Sequence, residues 1–433
     1  MTYKEARVYL DEMSKYGSVL GLDTIRGLLH ELGNPQDNLK FIHIAGTNGK
    51  GSVLAYTSTI LSEAGYRTGR YVSPTVMSYL EKIQVDGKWI SESDFAQITE
   101  QIKEAIASLK MKGEPLPTLF EVETAMAFLY FRKMHCDLVV LECGLGGETD
   151  ATNIVKNTIC AAFATISLDH IGVIGNTLEE IAQTKSGIIK PGCVVVSARQ
   201  VESVSNILRK KAQSTGCSYV EAEPAYMKIL EENYDGMTFS YKEFDNIHSN
   251  LTGECQRDNL ATALEIVKCL RKLGYEINEA AVKDGIAKTV WPGRFTCLTN
   301  NPIFIIDGAH NEDAAIKLKT SIQRYFSGKE IWLIMGVFRD KEYDKITELL
   351  CPLATKVYTV ELPNKDRTLS AVKLADCAKQ YCDQVQVKES IRAAVEAAIK
   401  EAGPVIIACG SLSYLGEVKR IVDEATVNKN ICG

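Results

Sequence analysis

Residues 43–53 read His-Ile-Ala-Gly-Thr-Asn-Gly-Lys-Gly-Ser-Val, a glycine-rich turn carrying one lysine and one hydroxyl between two apolar segments. Phe41 to Ala45 predict a buried strand, and Val53, Leu54, Tyr56, Ile60, Leu61 and Ala64 recur afterwards at helical spacing. Strand, glycine loop and helix in that order form a phosphate cradle. Gly46, Gly49 and Gly51 let backbone N–H groups converge on an anion, Lys50 offers a compact charge to the β- and γ-phosphates, and Ser52 can reach a magnesium ion. The general motif, Gly-x-x-x-x-Gly-Lys-Ser/Thr, would place glycine at Ile44 and a hydroxyl at Gly51, so this loop is the narrower variant Gly-Thr-Asn-Gly-Lys-Gly-Ser.

The rest of the 433 residues must supply a sheet around that loop and a partner for the nucleotide. Asp137 to Cys143, Ile159 to Ile166 and Cys193 to Ala198 read as strands. Helical patterns lie at Ser91–Lys110, Phe120–Met134 and Thr177–Ile188. Arg70–Ser73 end a short second strand. This alternation predicts a parallel sheet covered on both faces. Asn250–Gly274 and Asn278–Thr289 predict two further helices, and the aromatic residues between 219 and 250 predict short strands at an antiparallel edge. The Trp291-Pro292-Gly293-Arg294 turn breaks the pattern. Strands at Ile303–Ile306, Ile331–Met335, Lys356–Val360 and Val405–Cys409 then predict a second, smaller α/β domain. The expected division is 1–293 and 294–433.

Composition excludes several classes. A net charge of −6 gives no basic footprint for nucleic acid, so attraction of anions must be local, from Lys50, Lys82, Lys185, Arg294 and helix N-termini. The longest uncharged apolar stretch, Thr158–Leu168, is far short of the ~20 residues a membrane span needs, and the mixed-charge start shows neither a signal nor a transit peptide. The thirteen cysteines are scattered and never spaced Cys-x-x-Cys. They read as small buried hydrophobes of a reducing compartment, and the chain as a cytoplasmic monomer.

Candidate chemistry gathers at strand ends. Glu142 closes an apolar strand before Gly144-Leu145-Gly146-Gly147, placed like a Walker-B-type acid for the magnesium of a nucleotide; a solvated acid is the alternative. Asp169 and His170 are expected at the end of the next strand, where His170 serves either a metal or a core hydrogen bond. Lys185, near a helix C-terminus, is by itself an ordinary dipole partner. In Asp307-Gly308-Ala309-His310-Asn311, Asp307 and His310 suit ribose and phosphate contacts, while a helix cap through Asn311 is an equal reading. These features describe an ATP site shared between two domains.

On these residues the chain resembles the folylpolyglutamate synthase and bifunctional dihydrofolate synthase family of the Mur ligase superfamily. The similar blocks are Gly21–Arg26 with Leu32-Gly33, His43–Ser52, Ser73-Pro74, Phe120-Glu121, Glu142–Gly147, Asp150–Asn153, Leu168–His170, Lys185–Ile188, Pro292–Phe295 and Asp307–Asn311. The resemblance implies a three-layer P-loop ATPase domain of the Mur ligase central-domain type, followed by a smaller Rossmann-like domain. It implies that ATP is bound by Gly46, Thr47, Asn48, Gly49, Lys50, Gly51, Ser52, Asn259, Arg294, Asp307 and His310, and magnesium by Ser73, Glu142 and His170. It further implies that Lys185 is carbamylated, that Thr118, Phe120 and Asp150 line a folate pocket, and that Lys50, Lys185 and His170 serve catalysis.

The implied reaction is ATP-dependent addition of L-glutamate to a folate-type carboxylate, and also to dihydropteroate, through an acyl phosphate. Three departures bear on the acceptor. The family usually has Ser-Pro-His-Leu at Ser73–Val76, an arginine at Glu148 and Glu-Lys-Ala-Gly at Thr184–Gly187. A Mur-type ligase for a different carboxylate is therefore the alternative. A regulatory GTPase would need Asn-Lys-x-Asp, and Asn364-Lys365-Asp366-Arg367 has its aspartate one place too early.

Overall fold

The computed structural model describes residues 1–13, 21–400 and 405–432. Around the phosphate loop stands an eight-stranded sheet made of β1 (Phe41–Ala45), β2 (Thr68–Tyr71), β3 (Ile83–Val85), β4 (Lys88–Trp89), β5 (Leu138–Glu142), β6 (Thr158–Phe163), β7 (Val194–Ser197) and β8 (Ser218–Glu221). Their spatial order is β4-β3-β2-β5-β1-β6-β7-β8. In that order every pairing from β2 to β8 is parallel, while β2–β3 and β3–β4 at one edge are antiparallel.

Alternation divides the central strands between two cores. Leu138 and Val140 of β5 pack with the helices Lys50–Glu63 and Glu254–Lys272, through Ile60 and Leu264 among others. Val139 and Leu141 face the opposite layer, with Phe128 of helix Leu119–Lys133 and Ile102 of helix Glu92–Lys112. With both faces covered, β1 and β5 are apolar apart from His43 and the terminal Glu142, and each of their residues is buried.

Residues 219–250 differ from expectation. Ser218–Glu221 joins the parallel sheet as β8, while β9 (Met227–Glu232), β10 (Met237–Tyr241) and β11 (Phe244–Ser249) form a separate antiparallel sheet. Met237, Phe239 and Tyr241 are buried and alternate with half-buried Thr238 and Ser240, so this sheet has one face in the core that holds Ile44 and Leu264. The antiparallel edge of the large sheet lies instead at β3–β4.

After the 291–294 turn the chain builds a six-stranded sheet of β12 (Thr296–Asn300), β13 (Ile303–Ile306), β14 (Ile331–Met335), β15 (Lys356–Thr359), β16 (Val385–Val387) and β17 (Val405–Cys409). The order is β12-β13-β17-β14-β15-β16, parallel apart from the β12 edge. Helices Glu312–Tyr325, Tyr343–Leu350 and Ala371–Ala378 cover one face, and Ile391–Lys400 and Leu415–Cys432 the other. No helix among the described residues is long and apolar enough to cross a membrane. The carboxyl ends of β1, β5 and β13 border one cavity of about 450 Å³.

Candidate active site

Helix Lys50–Glu63 begins at Gly49, whose φ of 91° suits glycine, and no side chain caps it. Its first N–H groups stay available to an anion, where the helix dipole also favours negative charge. Thr47 and Asn48 donate their backbone N–H groups to Thr165 O, at 2.8 and 3.1 Å, and Thr47 Oγ1 donates to Ser167 O at 2.9 Å. The loop is therefore fixed from its outer side by the chain leaving β6. A Cβ on Gly49 would run into Asn259 Oδ1, which explains why the loop can lie this close to helix Glu254–Lys272.

Lys50 Nζ lies 3.2 Å from Thr47 O and 4.0 Å from Glu142 Oε1. Glu142 Oε2 accepts the Ser73 N–H at 3.3 Å. Burial pushes the Glu142 carboxyl above the ordinary carboxylate range, while Lys50 and the Ser73 N–H pull it back. A buried carboxylate with one cation at arm's length and a serine beside it fits an oxygen-ligand cation site. Among the described residues no three carboxylate, thiol or imidazole groups stand close enough to hold a metal alone, so hydroxyl and phosphate oxygens must complete such a site.

Asp169 and His170 do not end a strand. β6 stops at Phe163, because Thr165 turns aside to bridge Asn48, and His170 lies on the following turn with φ 52°. Its ring is 46% exposed and 3.7 Å from Asp169. Burial of the remainder lowers its pKa despite Asp169, which keeps the imidazole neutral and able to donate a lone pair. His170, Ser73, Glu142, Ser52 and Lys50 all line the cavity.

Lys185 reaches the loop from behind, donating from Nζ to Gly46 O at 3.0 Å. Its burial, with Lys50 nearby, pulls its pKa down to about 8. Sequence physics read it as a helix-end cation; the fold turns it inward.

The second domain supplies the opposite wall. Asp307 Oδ2 accepts the Phe295 N–H and Oδ1 the Ala309 N–H, both at 2.8 Å, with its carboxyl raised by burial against the pull of Arg294. His310 Nδ1 donates to Gly308 O at 2.7 Å, and burial lowers its pKa to about 4. Asn311 caps helix Glu312–Tyr325 by accepting the Ala314 N–H at 2.9 Å, while Asp307 and His310 of the same turn line the cavity. Arg294, Asp307, His310 and Asn259 share the cavity with the phosphate loop.

The three positions assigned to a folate pocket stand apart from that cavity wall. Thr118 is the N-cap of helix Leu119–Lys133, exchanging hydrogen bonds with Glu121 in a capping box. Phe120 lays its ring against Gly144, which does line the cavity. Asp150 is buried and spends Oδ2 on the Leu145 N–H at 2.6 Å and Oδ1 on the Thr152 N–H at 2.9 Å.

Sequence reasoning missed the contacts between the domains. Lys341 Nζ pairs with Asp169 at 2.9 Å, and Asn48 Nδ2 donates to Asp313 Oδ2 at 2.8 Å and to Asn311 Oδ1 at 3.3 Å. Lys341 overcomes the effect of burial and holds the Asp169 carboxyl well below the usual range. No local pattern marks these pairs, whose members lie 172, 265 and 263 residues apart.

Nucleotide-cradling loop, buried acid and second α/β domain over one cavity define an ATP-dependent ligase of Mur type. Residues 44–267 match the Mur ligase middle domain, and residues 293–412 the Mur ligase glutamate ligase domain. The dihydrofolate synthase/folylpolyglutamate synthase of Bacillus subtilis is 33% identical over 363 residues, covering 82% of this chain and 84% of the relative. The Mycobacterium tuberculosis folylpolyglutamate synthase complexed with ADP and AMPPCP is 28% identical, with a TM-score of 0.87, over 97% of this chain and 98% of that one. E. coli FolC in complex with DHPP and ADP gives a TM-score of 0.85 at 28% identity, over 98% of this chain and 99% of that one. The chain belongs to the folylpolyglutamate synthase and dihydrofolate synthase family, and is an ATP-dependent ligase of the folylpolyglutamate synthase type.

Proposed function

We propose that this chain joins L-glutamate to a folate-type carboxylate through an acyl phosphate, with ATP in the cavity between residues 1–293 and 294–433. One observation carries the reading. Uncapped phosphate loop, Lys50, Glu142 and Ser73 on one wall face Arg294, Asp307 and His310 on the other across a single cavity.

The acceptor carboxylate attacks the γ-phosphorus, and ADP leaves. Lys50 and Arg294 offset charge on the transferring group. Magnesium held by Ser73, Glu142 and His170 would supply further charge neutralisation on the phosphates. The glutamate amine then attacks the acyl carbonyl, and phosphate departs. Alignment of three substrates in one cavity provides much of the acceleration, up to ~7–11 kcal/mol in well-oriented systems.

Lys185 is assigned to a carbamate. Carbon dioxide adds only to a neutral amine, and a pKa of about 8 makes roughly a tenth of the side chain neutral at pH 7, against far less for an ordinary lysine. The carbamate nitrogen keeps one N–H for Gly46 O. The chain is expected to act as a monomer, and the described cysteines are free thiols, which supports the cytoplasm.

For the acceptor, folate polyglutamylation is expected to be retained and dihydropteroate ligation to be reduced or missing. Glu148 is exposed beside Gly187, where the family usually carries arginine, and Thr75 lines the cavity where it carries histidine. The same observation favours a second reading, a ligase of this chemistry for a different carboxylate. ADP release with ATP, glutamate and each acceptor in turn decides: activity only on dihydropteroate overturns the ordering, and activity on neither favours the second reading.

A further inference from the structure

We propose that His43, Thr152 and Asp150 form a one-way hydrogen-bond relay that positions the Gly144–Gly147 loop, with the His43 proton on Nε2. His43 sits in the middle of β1 with its side chain fully buried, an expensive place for an imidazole. Its Nε2 lies 2.9 Å from Thr152 Oγ1, and its Nδ1 is buried without a partner. The Thr152 hydroxyl in turn lies against Asp150 Oδ1.

Direction follows from the far end. Asp150 already accepts backbone N–H groups on both oxygens, so it is the acceptor and the Thr152 hydroxyl spends its proton there. The hydroxyl oxygen then has only lone pairs for His43, and Nε2 must donate. The other tautomer would turn the hydroxyl away from Asp150 and bury an unpaired Nδ1–H, leaving two polar groups unsatisfied instead of one. Burial also lowers the His43 pKa to about 3, with Lys190 adding to the effect, which keeps the ring from carrying a second proton.

The relay ends on Leu145 N, inside the glycine loop that connects Glu142 to Asp150. That loop touches three parts of the site. Gly144 lines the cavity and meets the Phe120 ring, while Gly147 lies so close to the backbone of Thr184 and Lys185 that a Cβ there would come within 2.7 Å of Lys185 Cα. Asp150 therefore positions the loop, and His43 sets the hydroxyl that holds it. The consequence for turnover rests on the proposed function, with Phe120, which the family resemblance places in the folate pocket, against Gly144 of this loop.

The test uses the full chain labelled with ¹⁵N-histidine, whose six imidazoles are resolved by long-range ¹H–¹⁵N correlation and assigned with His43→Gln. A neutral His43 ring protonated at Nε2 is expected, and protonation at Nδ1 overturns the relay whatever any variant does. In turnover, Thr152→Ser should keep the parent acceptor KM. Thr152→Val should raise it about tenfold, as for loss of one hydrogen bond to a charged group, with the KM for ATP within about twofold. An unchanged acceptor KM in Thr152→Val, or an equal rise in both constants, also overturns it. If the parent protein turns over no folate acceptor, the functional reading fails, and the tautomer still decides the relay.

Discussion

Two helices start at the carboxyl ends of parallel strands and face each other across the cavity, yet their N-termini are used in opposite ways. Helix Lys50–Glu63 follows β1 and begins at a glycine with no side-chain cap, whereas helix Glu312–Tyr325 follows β13 and is plugged by Asn311. The same topology therefore yields an open anion site in one domain and a closed, structural turn in the other. The closed one is put to a different use: Asn311 also reaches Asn48 of the open loop, so the second domain meets the nucleotide site through a capped helix. What separates the two is the residue at the N-cap, glycine against asparagine.

Removing the cation of the open site should have the largest effect. Lys50→Ala is expected to lower kcat by about a thousandfold with the fold intact, the scale found for groups that stabilise transition-state charge. Rapid-quench measurement of acyl phosphate formation, with circular dichroism as the folding control, checks it. Near-normal turnover would make the two helix starts functionally alike and remove the comparison.

Next comes Lys185, which supports the open loop from behind through Gly46 O. Lys185→Ala and Lys185→Arg should both lose about a hundredfold or more, although arginine keeps the charge, because neither can form a carbamate. In bicarbonate buffer the parent's activity should rise with pH through about 8, as the amine loses its proton. The stability effect has the same sign. The folded pKa of about 8 lies below the ordinary 10.5, so the unfolded chain binds more protons between them and stability rises with pH over that window. Normal activity of Lys185→Arg without bicarbonate returns Lys185 to a simple helix-end cation.

The open half of this comparison was legible in the sequence; much of the closed half was not. β1, β13, β14 and β17 have the bounds their apolar runs predict, since strands buried on both faces are largely apolar. β12 and β16 were missed because they are half exposed edges of three to five residues with no apolar run. The Asp307–Asn311 turn carried two equal readings, and the Ala314 contact shows the cap without excluding nucleotide contacts by Asp307 and His310. The glycine loop, Lys50 and Glu142 announce themselves through residue type and position. Asp169 and Lys341 do not, because their meaning lies in a pairing across 172 residues.

That pair gives the third test. Lys341 and Asp169 are 11% and 12% exposed, so Lys341→Met should destabilise by about 1–3 kcal/mol, between surface and fully buried pairs. Asp169 is held well below its ordinary pKa, so its contribution is present above about pH 4 and lost as pH falls through the folded value. Thermal melts of parent and variant should differ fully near neutrality and converge in acid. A gap that persists in acid would assign the loss to packing instead of charge.

The smallest effect should come from Asn311 itself, and it separates the two jobs that residue does. Asn311→Ser keeps a cap for the Ala314 N–H but cannot span to Asn48, whose contacts with the Asn311 amide are 3.2 and 3.3 Å. Asn311→Ala loses both. Loss of a cap costs about 1 kcal/mol, while serine caps nearly as well as asparagine. Denaturant unfolding should therefore show Asn311→Ala about 1 kcal/mol less stable and Asn311→Ser only a few tenths, since each bridging amide contact is long and shared. The KM for ATP should move by less than about threefold in both, because Asn48 retains Asp313 at 2.8 Å. If serine and alanine cost the same, the helix end is not closed by its cap. The contrast between the two helix starts would then rest on Lys50 and the glycines alone.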